Sequence, residues 1–377
     1  MTYRLTEEQR LIIESVKRIK KEKIVPLVEE VDRRGEFPWE VHKIILENGL
    51  IGLSLPQEYG GSGLDLSTFC MVAEELANFC YSATCWYNDL AIEPILIAGS
   101  PEQKEKYITK MTRGELIASI AITEPGAGSD VAGITTRAVL DGDEYAINGT
   151  KHFISLADDA DIVSVLVKTD PSKGTKGMSF IIVERGTPGF SIGKIEKKMG
   201  VDVIHACELI FEDCRVPRSN LVGREGEGFS IGMTALDPGR VTVGSQGAGI
   251  AQGALDYAID YAKERIQFGR PIAEFQGIQF MMADMATQIE ASRQLVNRAA
   301  CAIDENEKDR SKLAAMAKYF ATDVCMMVTT DAVQILGGYG YMKDYPLERM
   351  MREAKFLQIY EGTNQIQRIV VARSLLS

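Results

Sequence analysis

Two hydrophobic periods alternate along this chain, and their order predicts its architecture. Leu11, Ile12, Val16 and Ile19 recur at helical spacing behind a Thr6…Gln9 capping pattern, which predicts a first helix. Val41, Ile44, Ile45 and Leu50 predict a second after Pro38, broken by the loop Leu55-Pro56-Gln57-Glu58-Tyr59-Gly60-Gly61-Ser62-Gly63. Residues 69–79 and 84–98 carry two more apolar helical patterns, and Pro101 suits the first turn of another. At Leu116 the period shortens. Runs at 117–122, 135–140, 145–148, 162–168, 178–183 and 206–211 read as strands, with turn signals such as Asp141-Gly142 and Asn148-Gly149. From Phe229 the helical period returns in long stretches, at 233–266, 277–305, 312–336 and 345–360. The order predicts an α+β multidomain chain: a helical domain over 1–116, a β-barrel or sandwich over 117–220, and a helix bundle over 221–377.

Composition narrows the function. The chain has 377 residues, 45% hydrophobic and 25% charged, as in soluble globular proteins, and two or three domains are expected at this length. No apolar run approaches the ~20 residues of a membrane span. The start, Met1-Thr2-Tyr3-Arg4-Leu5-Thr6-Glu7-Glu8, lacks a signal-peptide pattern and is too acidic for a transit peptide, so a bacterial-type cytoplasmic protein is expected. A net charge of −11 disfavours nucleic acid as the main partner. Seven scattered cysteines without a CxxC, and His42, His152 and His205 without an HExxH, support neither a disulfide scaffold nor a metal site.

The motifs are singly weak. GxGxxG and the P-loop are absent, which disfavours a Rossmann nicotinamide enzyme and a nucleotide triphosphatase. Thr123-Glu124-Pro125-Gly126-Ala127-Gly128-Ser129-Asp130 follows a strand; it reads as a plain connection, or as a loop presenting N–H groups to a flavin edge or phosphate. Leu336-Gly337-Gly338-Tyr339-Gly340-Tyr341 reads as a helix cap, or as a close approach of backbone to a ligand. Glu361 lies between Ile359-Tyr360 and Gly362. A carboxylate there is a solvated loop residue, or a general base if it is partly desolvated.

Taken together, the motifs at 56–63, 123–130, 148–154, 211–217, 265–271, 334–340 and 359–368 resemble those of the acyl-CoA dehydrogenase family, closest to its short- and medium-chain branch. The likeness runs from Leu5 to Leu376 and includes members that act on cyclic acyl-CoAs. It implies a helical, a β and a four-helix domain, one FAD per subunit, a homotetramer built as a dimer of dimers, and oxidation of an acyl-CoA to its enoyl-CoA. Electrons would pass to an electron-transferring flavoprotein. Glu361 matches the family base that removes the α-proton while flavin N5 takes the β-hydride. Ile122, Thr123, Gly128 and Ser129 match the flavin loop, with Phe153 and Ser155 where Trp and Thr are common. Arg265, Phe268, Gln276, Gln334 and Gly338 match FAD contacts made across a dimer interface, and Thr363 and Gln365 match contacts to the adenosine diphosphate half. Ser129, Arg240, Tyr360 and Gly362 match the substrate side.

Some relatives carry the base one residue before an arginine; here that pair is Gly239-Arg240, which strengthens Glu361. Ile204-His205-Ala206 replaces a Ser/Thr-rich stretch near CoA, and Leu156 stands where asparagine is common. Asp89, beside Trp86-Tyr87, is read either as a helix face turned to water or as a second acid in the acyl pocket. Asp89, and the absence of arginine between Arg34 and Arg113, disfavour a dicarboxylyl-CoA; Trp86 is expected to shape the pocket. A short straight-chain or cyclic saturated acyl-CoA is the expected substrate. An oxygen-reacting acyl-CoA oxidase and a non-catalytic acyl-CoA-binding protein are the alternatives.

Overall fold

The computed structural model describes residues 5–87 and 89–376. Helices come first: α1 (Glu7–Ile19), α2 (Val28–Arg34), α3 (Trp39–Glu47), α4 (Leu66–Ala77), α5 (Tyr81–Thr84), α6 (Glu93–Ala98) and α7 (Pro101–Thr112). The Thr6 hydroxyl accepts from Gln9 N–H, and the Gln9 side chain accepts from Thr6 N–H, both at 3.1 Å, so two otherwise orphaned donors are satisfied at the start of α1.

The single helix expected over 84–98 does not form: α5 ends at Thr84 and α6 begins only at Glu93. Tertiary partners hold Tyr87 between the two helices by its carbonyl and its hydroxyl. Gln246 donates to the Tyr87 carbonyl at 3.2 Å, and the Tyr87 hydroxyl donates to the Leu50 carbonyl at 2.6 Å. Pro94, lacking an N–H, sits in the first turn of α6. Asp89 therefore lies in the connection between α5 and α6 and not on a helix face.

The strands are β1 (Ala118–Ala121), β2 (Arg137–Asp141), β3 (Glu144–Ser155), β4 (Ile162–Lys168), β5 (Met178–Glu184), β6 (Phe190–Ile195), β7 (Ala206–Pro217) and β8 (Leu221–Val222). They form one sheet in the order β6-β7-β3-β2-β4-β5-β8, with β1 parallel to β4. β4 and β5 read as continuous apolar runs because both their faces are covered. Ile162, Leu166, Phe180 and Ile182 pack with Ile95, Tyr107 and Ile108 of the helices. Val163, Val165, Val167, Ile181 and Val183 pack on the other side with Tyr145, Ile147 and Phe211. β6 had no counterpart in the expected elements; it is an edge strand with mostly exposed positions.

The last part holds α8 (Gly228–Glu264), α9 (Gln276–Asp304), α10 (Arg310–Leu336), α11 (Leu347–Leu357) and α12 (Asn364–Leu376), with a two-stranded ribbon of β9 (Ile266–Gln267) and β10 (Arg270–Pro271). α8 is buried along most of its length, and small residues let neighbours close on it. A Cβ on Gly249 would lie 2.1 Å from the Glu74 carbonyl of α4, so only glycine permits that crossing. Among the described residues no helix is long and apolar enough to cross a membrane.

Candidate active site

The loop between α11 and α12 carries two successive left-handed residues, Glu361 (φ 53°) and Gly362 (φ 87°). For glutamate that conformation costs about 1–2 kcal/mol, so surrounding contacts must hold it. Gln367 Nε2 donates to the Glu361 carbonyl at 3.2 Å and to the Gly362 carbonyl at 2.9 Å. Lys318 Nζ, from the buried face of α10, donates to the same Gly362 carbonyl at 2.9 Å. On the other side the Tyr360 ring stacks on Phe356 at 4.3 Å, and its hydroxyl donates to Gln246 at 3.3 Å. These contacts aim the Glu361 carboxylate at α8. A Cβ built on Gly239 would sit 2.6 Å from Glu361 Oε2, so the glycine leaves room for the acid beside it.

Gly239 also lines a cavity of about 240 Å³ with Ser54, Phe69, Asp89, Leu90 and Glu93. The Asp89 carboxylate at this cavity accepts from the Ser54 hydroxyl. Burial raises its pKa, an effect that this hydrogen bond only partly offsets. Burial, then the charge of Asp89, pushes the neighbouring Glu93 up to about 8. Asp304 lines the cavity too, but its carboxylate is occupied by Leu66 N–H at 2.8 Å and Ser67 N–H at 3.1 Å at the start of α4.

Trp86 is not among the residues lining the cavity. Its indole N–H donates to the Ala83 carbonyl at 3.0 Å, and its ring packs against Phe37 and His42. Arg240 is buried and paired with Asp237 at 2.7 Å. His205 joins β7 to the first helices, with Nδ1 2.5 Å from Asp158 and Nε2 3.2 Å from the Gly35 carbonyl.

A second group of the expected residues follows β1. Glu124 is buried beneath the 123–130 loop and accepts from Thr135 N–H at 2.6 Å, Thr136 N–H at 2.9 Å and Lys151 at 2.9 Å. Burial alone would raise its pKa; Lys151 and the threonine donors outweigh burial and hold it at about 2. Lys151, with no exposed surface, is lowered by burial to about 8 against the pull of Glu124. Lys151 also donates to the Ile122 carbonyl at 2.9 Å, and His152 N–H to the Thr123 carbonyl at 2.9 Å. The loop is thus tied down from below, while Gly128 and Ser129 face outward. On β3 Phe153 stands 60% exposed with φ 57°, and the Ser155 carbonyl accepts from the Ser119 hydroxyl.

A third group gathers around a cavity of about 410 Å³ that includes Arg265, Gly338 and Tyr339, with the Arg265 guanidinium 5.3 Å from the Tyr339 ring centre. Phe268, at the tip of the β9–β10 ribbon, is 94% exposed. Gln276 and Gln334 are exposed but do not line this cavity. Thr363 caps α12 by accepting from Ile366 N–H at 3.3 Å, and Gln365 is exposed.

Three family models cover nearly the whole chain: the N-terminal domain of acyl-CoA dehydrogenase over residues 6–115, its middle domain over 119–214 and its C-terminal domain over 226–376. The chain belongs to the acyl-CoA dehydrogenase family. It is 50% identical to cyclohex-1-ene-1-carbonyl-CoA dehydrogenase of Syntrophus aciditrophicus (strain SB), over 99% of this chain and 91% of the relative. It is 47% identical to acryloyl-CoA reductase (NADH) of Anaerotignum propionicum, over 100% of this chain and 96% of the relative. A chain in the solved structure of the electron transferring flavoprotein of Acidaminococcus fermentans superposes with a TM-score of 0.97 at 48% identity, covering 100% of both chains.

This acyl-CoA dehydrogenase is an oxidoreductase with FAD as its cofactor. The residues present suit such a group. Gly126, Gly128 and Gly338 each have open space where a Cβ would stand, so nothing within this chain requires glycine there, and a ligand could lie close to the backbone. Phe153 and Phe268 offer exposed rings for stacking. Sequence reasoning missed Ser54, Glu93, Glu124, Lys151, Lys318 and Gln367. Lys318 did leave a signal, as a cation set among Ala314, Ala315, Ala317 and Ala321 on one helix face.

Proposed function

We propose that this enzyme removes two hydrogens from a short-chain or cyclic acyl-CoA thioester and forms the α,β-enoyl-CoA. The observation that carries this reading is the Glu361 carboxylate lying against Gly239, the residue of α8 that lines the 240 Å³ cavity. Glu361 takes the α-proton as general base. FAD, when bound, supplies the acceptor for the β-hydride at its N5. The cavity of about 240 Å³ has room for a short chain or a single ring. No lysine or arginine is among the described residues that line the cavity, which disfavours a substrate ending in a carboxylate.

We assign Arg240 and Ser129 to the CoA side of the thioester, and Tyr360 and Gly362 to the walls beside its reacting carbons. Asp89 is the second acid, either shaping the pocket or sharing proton transfer. The flavin loop and the Phe153–Ser155 segment are assigned to the isoalloxazine, and Arg265, Phe268, Gln276, Gln334, Gly338, Thr363 and Gln365 to the remainder of FAD. The likeness to a chain of the A. fermentans flavoprotein structure supports an electron-transferring flavoprotein as electron acceptor. The likeness to an acryloyl-CoA reductase supports a second reading, the reverse step of enoyl-CoA reduction on the same residues.

Anaerobic bleaching of the flavin with butyryl, hexanoyl, isobutyryl, 2-methylbutyryl, cyclohexanecarbonyl and glutaryl thioesters tests the proposal. Bleaching is expected with a short or cyclic member and not with glutaryl-CoA. Glu361→Gln should keep the yellow colour and lose at least 10²-fold in bleaching rate. A colourless protein that takes up no FAD sinks the reading, and full activity in Glu361→Gln moves the base elsewhere, with Asp89 tested next. Peroxide formed at the turnover rate would make the enzyme an oxidase.

A further inference from the structure

Lys318 has no exposed surface, yet it carries a titratable amine on the inner face of α10 among alanines. Burying an ammonium costs several kcal/mol unless it is well bonded. Its bonds both go to the loop behind the base: Nζ donates to the Gly362 carbonyl at 2.9 Å and to Asn364 Oδ1 at 3.0 Å. The Asn364 amide in turn donates to Thr322 Oγ1 at 2.9 Å and to Asp323 Oδ1 at 2.8 Å. One turn of α10 therefore grips the start of α12 and the carbonyl that follows Glu361.

Gln367 already supplies a neutral donor to the Gly362 carbonyl. What Lys318 adds is a positive charge, present while its amine is protonated. The charged groups acting on it are Glu361 in the loop, Arg240 on α8 and Asp323 on α10 itself. Burial brings the amine down to about 7; Glu361 and Asp323 oppose that, and Arg240 reinforces it. The attraction between Lys318 and Glu361 is mutual: whatever stabilises the ammonium through Glu361 stabilises the Glu361 carboxylate through the ammonium.

We propose that Lys318 is a positioning residue for the reaction: it holds the left-handed Glu361–Gly362 loop by its carbonyl and places a positive charge behind the carboxylate that removes the α-proton. This rests on the reading of Glu361 as the base. No bond to Lys318 is made or broken; its part is to fix where the carboxylate sits and to favour its ionised form before proton transfer.

The test compares holoenzymes of wild type, Lys318→Met, Gln367→Met and Glu361→Gln. FAD content and melting temperature serve as the folding control, and the anaerobic bleaching rate is measured against pH. Lys318→Met should keep its flavin, bleach roughly 10- to 100-fold more slowly and show the acid limb of its profile moved to higher pH, because the carboxylate has lost its cation. Gln367→Met should slow bleaching and leave the acid limb in place. If Lys318→Met does not accumulate as holoenzyme, Lys318→Gln is read the same way. A folded Lys318 variant with wild-type rate and an unmoved acid limb overturns the proposal, as does failure of both variants to fold, which makes Lys318 a folding determinant. Full activity in Glu361→Gln instead removes the base beneath it, a separate failure that leaves the Lys318 data to be read as structural.

Discussion

At the scale of single residues, acidity is decided by surroundings. Asp89 and Glu93 are ordinary carboxyls in the sequence, four positions apart; in the fold they share one cavity. Burial and then Asp89 lift Glu93 to about 8, and burial lifts Glu353 to about 7, both from 4.5. Between those values the folded state holds protons that the unfolded chain has released. The stability these carboxyls contribute is therefore full below about pH 4.5 and is lost as pH rises through 7 and 8. Glu93→Gln cannot ionise. Its melting temperature relative to wild type should climb as pH is raised from about 5 to about 9, measured by thermal denaturation in matched buffers. A difference independent of pH would mean that Glu93 is ionised in the native protein.

At the scale of elements, local pattern located the strands and long helices, and tertiary contact set their breaks. The runs at 162–168 and 178–183 became β4 and β5 with little change, because an unbroken β-branched and apolar run has few other uses. The run at 84–98 failed as one helix because Gln246 and Leu50, distant in sequence, capture the backbone and side chain of Tyr87. The loop after β1 shows the same dependence. Its shape rests on the Glu124–Lys151 pair, in which 27 positions of chain separate the partners. Lys151→Met leaves Glu124 buried without its cation, and should cost about 3–5 kcal/mol of stability and lower FAD retention. Chemical denaturation and flavin absorbance after gel filtration check both; unchanged retention with normal stability would mean that the pair does not brace the loop.

At the scale of the whole molecule, several strongly exposed apolar groups stand beside the FAD-matching residues. Phe268 is 94% and Tyr341 79% exposed, with Ile266 and Phe280 also in the open. Large apolar side chains left this exposed mark a surface for covering. Such a face suits contact with a second copy of the chain, as in the homotetramer that the family resemblance implies. Phe268→Ser should weaken assembly and FAD binding together, read by light scattering and flavin content; loss of neither would place the interface elsewhere. The two hydrophobic periods determined the helix–sheet–helix order, and short motifs determined the family and nominated Glu361, because periodicity and local residue strings are properties of neighbouring positions. Only the tertiary structure decided that Gly239 makes room for the Glu361 carboxylate, that Asp89 and Glu93 share a cavity while Trp86 turns away from it, and that Lys318 stands behind the loop. Each of those is a contact between segments far apart in the chain, where burial and charge depend on which groups the fold brings within a few ångströms.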